Sequence, residues 1–134
     1  MIDINYFRKN LTELKKSIAR KKFDCDLDAI VELDLNRRKS ISHAEQARAG
    51  QKSANVEMSQ LPKGSPEFLE KVADMKQKAA QVKELEAIAK KADESFREAF
   101  LSVPNLPHGS VPDGKSEEDN PTVSTWGDAA GEFP

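Results

Sequence analysis

Between Leu27 and Val103 the apolar positions fall into two stripes separated by a short polar turn. The first reads Ile30, Leu33, Arg37, Ser40, Ala44, Ala47, Gln51, Ala54, Met58 and Leu61, in alternating steps of three and four. On the second, Phe68, Met75, Val82, Ala89, Phe96 and Val103 recur at every seventh position, with Leu85, Ala92 and Ala99 at the companion position. A period near 3.5 keeps one seam of a helix facing a partner. Between the stripes, Leu61-Pro62-Lys63-Gly64-Ser65-Pro66 supplies a turn. Gly64 tolerates positive φ, Ser65 suits an N-cap and Pro66 the first helical position. Two arms of nearly equal length joined this way pair antiparallel within one chain. The predicted fold is all-α, a helical hairpin or long antiparallel two-helix coiled coil over about 27–103 with its tip at 61–66. At about 1.5 Å per residue, arms of roughly 35 residues extend on the order of 50 Å.

The flanking segments read as a base and a tail for this rod. Ile4, Phe7, Leu11, Leu14 and Ile18 fall at helical spacing, so a helix with one apolar face is expected near 4–21. Asn10 followed by Glu13 resembles a capping box, which would split it into two short helices. Arg20, Lys21 and Lys22 then sit favourably at the negative end of the helix dipole. Asp26 is a good N-cap for the outgoing arm, with Asp28 in its first turn. Gly50 inside that arm costs about 1 kcal/mol relative to Ala. Together with the small seam residues it makes mid-rod the weakest part, while the polar seam positions Arg37 and Gln51 fix register. After Ser102, Pro104, Pro107, Pro112 and Pro121 with Gly109 and Gly114 forbid continued helix, so an extended tail is expected. Trp126 and Phe133 lack a local core and are expected to pack on something beyond Pro134.

Composition changes the picture in two ways. Charged residues make up 33% of the 134-residue chain and apolar ones 37%, lean for a globular core but normal for a rod mostly facing water. The net charge of −2 hides a segregation. Arg37–Lys91 holds twelve basic and seven acidic residues, whereas Pro112–Pro134 holds one basic and six acidic. A basic rod suits a polyanionic partner. Lys76, Lys83, Lys90 and Arg97 recur every seven residues beside the returning seam, and Lys71 and Lys78 form a second short row. On the outgoing arm Arg38 and Lys52 share a stripe with Arg48 on the same flank. Such ribbons track phosphates along a nucleic-acid backbone. The alternative is a solvated face laced by Glu67–Lys71, Glu86–Lys90 and Asp93–Arg97 pairs.

Chemistry is otherwise sparse. There is no phosphate-binding loop, no nucleophile–base arrangement and no metal-ligand spacing, so no catalytic or metal-ligating residue is assigned. His43 reads as a solvated surface residue and His108 lies far from it in sequence. Cys25, the single cysteine, excludes an intrachain disulfide and reads as incidental. Nothing resembles a signal peptide or a membrane span of roughly 20 apolar residues. A cytoplasmic location is expected, with no membrane and no DNA partner.

The tail carries a more specific signal. Ser102-Val103-Pro104-Asn105-Leu106-Pro107-His108, then Ser110-Val111-Pro112-Asp113-Gly114-Lys115, Glu118-Asp119-Asn120 and Trp126-Gly127 resemble the junction of bacterial-type seryl-tRNA synthetases. Met1-Ile2-Asp3-Ile4-Asn5 with Phe7-Arg8 and Asn10 is similar to the family's opening, and Leu33-Asp34 with Arg37-Arg38 to the first turns of its arm. The resemblance implies residues 1–103 as a tRNA-binding helical arm and 104–134 as an extended linker toward a catalytic domain absent from this chain. It implies an arm that grips the long variable arm and elbow of serine tRNA and positions the acceptor end for aminoacylation. The parent would be a homodimeric, ATP- and magnesium-dependent serine–tRNA ligase, whereas this chain would hold no cofactor and be inactive alone. Arg48, Lys52, Lys76, Lys83 and Lys90 are the expected phosphate contacts, with Lys63, Lys71 and Lys78 behind them. The rival reading is a coiled-coil protein-interaction module.

Overall fold

The structure, a computed structural model, describes residues 2–114 and 116–127. Lys115 and Phe133 lie outside the described residues. Four helices follow in order: α1 (Ile4–Lys9), α2 (Leu11–Arg20), α3 (Leu27–Ser59) and α4 (Pro66–Leu101). The long helices α3 and α4 pack against each other as an antiparallel hairpin, and no strand occurs among the described residues. Each boundary has a local cause. Asp3 caps α1 by accepting from the amides of Asn5 and Tyr6. Asp26 caps α3 through the Ala29 amide, and Ser65 caps α4 through the Phe68 amide with Pro66 behind it. Gly64 takes φ 88° at the tip, in the left-handed region that the turn requires.

The break at Asn10 is real, but the expected capping box is not what makes it. The Asn10 side chain makes no cap bond to α2; its amide nitrogen donates to the Tyr6 carbonyl at 3.1 Å. The Asn10 side chain therefore closes α1, while its backbone carbonyl opens α2 by accepting from the Leu14 amide at 3.0 Å. The end of α2 is a Schellman motif, in which Lys22 N–H reaches the Ala19 carbonyl at 3.0 Å and Phe23 N–H the Ile18 carbonyl at 3.5 Å. The position that normally holds glycine is Lys22, at φ 51°.

Every predicted seam residue of the outgoing arm is buried or half-buried. The returning seam is buried at Val82, Ala89, Ala92, Phe96 and Val103 and half-buried at Phe68 and Met75 toward the tip. The main apolar cluster sits at the base: Phe7, Leu14, Ile18, Leu27, Ile30, Phe96 and Val103. Phe100 joins it from α4, edge-on to Phe7 at 5.3 Å and stacked on Phe96 at 5.2 Å. One end of the rod is thus anchored by a true core, and the tip end is held by small and half-buried contacts. Helix α3 nevertheless runs unbroken through Gly50.

The tail is more structured than expected. A short 3-10 turn forms at Glu117–Asp119, closed by a Ser116–Asp119 capping box. Trp126 is fully exposed and Val123 nearly so.

Candidate nucleic-acid interface

Helical spacing places Lys76, Lys83, Lys90 and Arg97 on one stripe of α4, and all four are exposed. Within that stripe, Lys83 and Lys90 stand one turn to either side of Glu86. Glu86 does not pair with Lys90. It reaches across the hairpin to the Arg48 guanidinium on α3. Lys52 lies one turn beyond Arg48 on the same flank. The cross-arm bridge thus sits inside a patch of cations contributed by both helices. Lys52, Lys63, Lys76 and Lys83 make no ion pair among the described residues, and Lys90 meets Glu94 only at 3.9 Å.

Lys71 and Lys78 are placed differently. They occupy the companion seam position toward the tip and are half-buried. Lys71 bonds Glu57 across the hairpin at 3.0 Å, and that hydrogen bond raises its pKa. Lys78 bonds Asp74 at 2.5 Å. The groove beside them is lined by Leu61, Glu67, Glu70, Lys71 and Asp74. Glu67 and Glu70 make this groove near the tip less favourable to phosphate than the stripe of Lys76, Lys83 and Lys90.

The expected Glu67–Lys71, Glu86–Lys90 and Asp93–Arg97 pairs are replaced by longer-range ones. Glu86 takes Arg48, Lys71 takes Glu57, and Asp93 takes Arg37 Nε at 2.5 Å. A carboxylate beside the seam is reached by a long cation of the facing helix as easily as by its own helical neighbour. Arg37 also lies over the Phe96 ring, 5.2 Å from its centroid. It therefore pins the two arms in register as a polar seam residue should.

Sequence reasoning missed the hub behind Arg37. Asp34 is buried, bonded in two points by Arg8 and approached by Arg37 at 3.6 Å and Arg38 at 3.4 Å. A seam arginine was the available signal, since it needs a carboxylate within one turn. Cys25 has its thiol pushed up by burial and by Asp26 and Asp24, which disfavours the reactive thiolate. No group of residues able to hold a metal ion occurs among the described residues. None of the described helices is long and apolar enough to cross a membrane.

The model for the seryl-tRNA synthetase N-terminal domain matches residues 1–107. The chain belongs to the seryl-tRNA synthetase N-terminal domain family. Among curated relatives, the serine–tRNA ligase of Solibacter usitatus is 35% identical over 130 residues, covering 97% of this chain and 31% of that protein. The Coxiella burnetii enzyme is 35% identical over 130 residues, with 95% and 30% covered. The chain spans about 30% of the length of the curated relatives it matches. A solved seryl-tRNA synthetase from Pyrococcus horikoshii, in complex with ATP, superposes with a TM-score of 0.73 at 26% identity, covering 89% of this chain and 27% of that one. The hairpin of this seryl-tRNA synthetase N-terminal domain is therefore the family's helical arm, and family membership supports a tRNA-binding role.

Proposed function

We propose that the cationic flank of the rod binds serine tRNA at its long variable arm and elbow. The observation that carries this reading is the row Lys76, Lys83 and Lys90 beside the Arg48–Glu86 bridge, with Lys52 next to it and Lys63 at the tip. Lys71 and Lys78, already paired, contribute less. Cations on a stiff rod on the order of 50 Å long meet several phosphates at once. They read shape and backbone rather than bases.

In the whole protein the arm holds the acceptor end of serine tRNA toward a catalytic domain that follows residues 104–134. The whole protein would be a cytoplasmic, homodimeric serine–tRNA ligase using ATP and magnesium, with the chemistry carried by its catalytic domain. The test is a titration of this chain against serine tRNA and a tRNA with a short variable arm, at about 50 to 200 mM salt. Tighter binding of serine tRNA, weakening steeply with salt, is the expected result. Equal affinity for the two, or no response to salt, overturns the reading and favours a protein-interaction rod.

A further inference from the structure

The three basic residues that end α2 are all engaged. Arg20 donates from Nε to Asp113 Oδ1 at 2.7 Å and from Nη2 to the Val111 carbonyl at 2.7 Å. Lys21 donates to the Asn105 carbonyl, and Lys22 donates to the Gly114 carbonyl at 3.0 Å. Consecutive side chains thus hold points spread along the whole of 105–114. Three of the four acceptors are backbone carbonyls, so these bonds fix the path of the chain itself.

Both ends of this contact are shaped for it. Lys22 occupies a left-handed position where glycine is favoured, and a glycine there would carry no ammonium. Gly114, whose carbonyl it holds, passes so close to the following turn that an added Cβ would lie 2.7 Å from Asp119 Cβ. No larger residue fits without moving the segment.

We propose that Arg20, Lys21 and Lys22 form a clamp that fixes the direction in which the chain leaves the helical arm, so that the arm and the segment after Pro104 turn as one body. The clamp is independent of what the rod binds. Its leverage is large: a change of about 10° at the base moves the tip of a rod about 50 Å long by about 9 Å. Because it is made of exposed charges on carbonyls and one carboxylate, it loosens in salt.

The test is a spin-label distance measurement between α2 and the tail, with T12C and E118C in a C25S background. The clamped chain is expected to give one narrow distance distribution, and R20A/K22G to broaden it about two-fold or more. The helical melting temperature should stay within a few degrees, because glycine adopts the left-handed position that ends α2 while the lysine side chain and its bond are lost. Should the double variant lose helix, K22G alone and the clamped chain in 1 M salt give the same reading. A distribution already broad in the clamped chain, or unchanged in the variants and in salt, overturns the proposal.

Discussion

Arg8 and Asp34 meet in a two-point contact, Nε to Oδ2 and Nη2 to Oδ1, both at 2.8 Å. One comes from α1 and the other from α3, so the pair ties the N-terminal helices to the base of the rod. Asp34 is only 3% exposed, and removing its charge would leave Arg8, Arg37 and Arg38 facing one another without their shared carboxylate. Asp34→Ala is expected to cost about 2–3 kcal/mol in urea denaturation, below the range for a fully buried pair because Arg8 is partly exposed.

The same pair sets an acid limit. The Arg8 hydrogen bond holds the Asp34 carboxyl below the usual carboxylate range, with burial opposing. A depressed value in the folded state means that the unfolded chain takes up the proton first as pH falls. The contribution is therefore complete above the ordinary carboxylate value near 4 and is lost as pH drops through the lower folded value. Urea midpoints should fall below about pH 4, and Asp34→Asn should flatten that acid limb. An equally steep limb in the variant would assign the loss to other carboxylates.

Glu86 restrains Arg48 on the cationic flank. Glu86→Gln removes a charge that repels phosphate and releases the guanidinium. Serine tRNA should bind about two- to five-fold more tightly, with a steeper salt dependence. The pair is exposed, so the stability change should stay within about 1 kcal/mol. Weaker binding of tRNA by this variant would show that the bridge orients Arg48 productively instead.

Lys76 and Lys83 are exposed on one stripe, two turns apart, and neither makes an ion pair among the described residues. The double variant K76A/K83A should weaken tRNA binding at low salt and reduce the slope of log K against log salt by about one to two units, with melting unchanged. An unaltered slope would remove both from the interface.

Gly50 lies inside α3 with nothing within 4 Å of where a Cβ would be. Gly50→Ala should therefore stabilise the rod by about 1 kcal/mol, a rise of roughly 3–5 °C in melting temperature. A lower melting temperature would mean that the outgoing arm needs a backbone freedom which the unbroken helix does not display.

The long helices, their turn and their caps were legible because each depends on residues close in sequence. The seven-residue repeat of Phe68 to Val103, Ser65-Pro66 after Gly64, and Asp26 ahead of α3 are local signals, and the structure realises all of them. The stripe of Lys76, Lys83 and Lys90 was legible for the same reason, since one helix's period fixes it. Tertiary structure decided which charges stay free. Glu86 ignores Lys90 for Arg48, Asp93 ignores Arg97 for Arg37, and Arg20 to Lys22 serve the tail as well as the helix end. Helix periodicity ranks partners only along one element, whereas a long flexible cation pairs with whichever acceptor the packing brings near. The sequence by itself determined a hairpin with a basic stripe; only the packing of α1, α3 and the tail determined the buried Asp34 hub, the bridge within the stripe and the direction in which the chain departs.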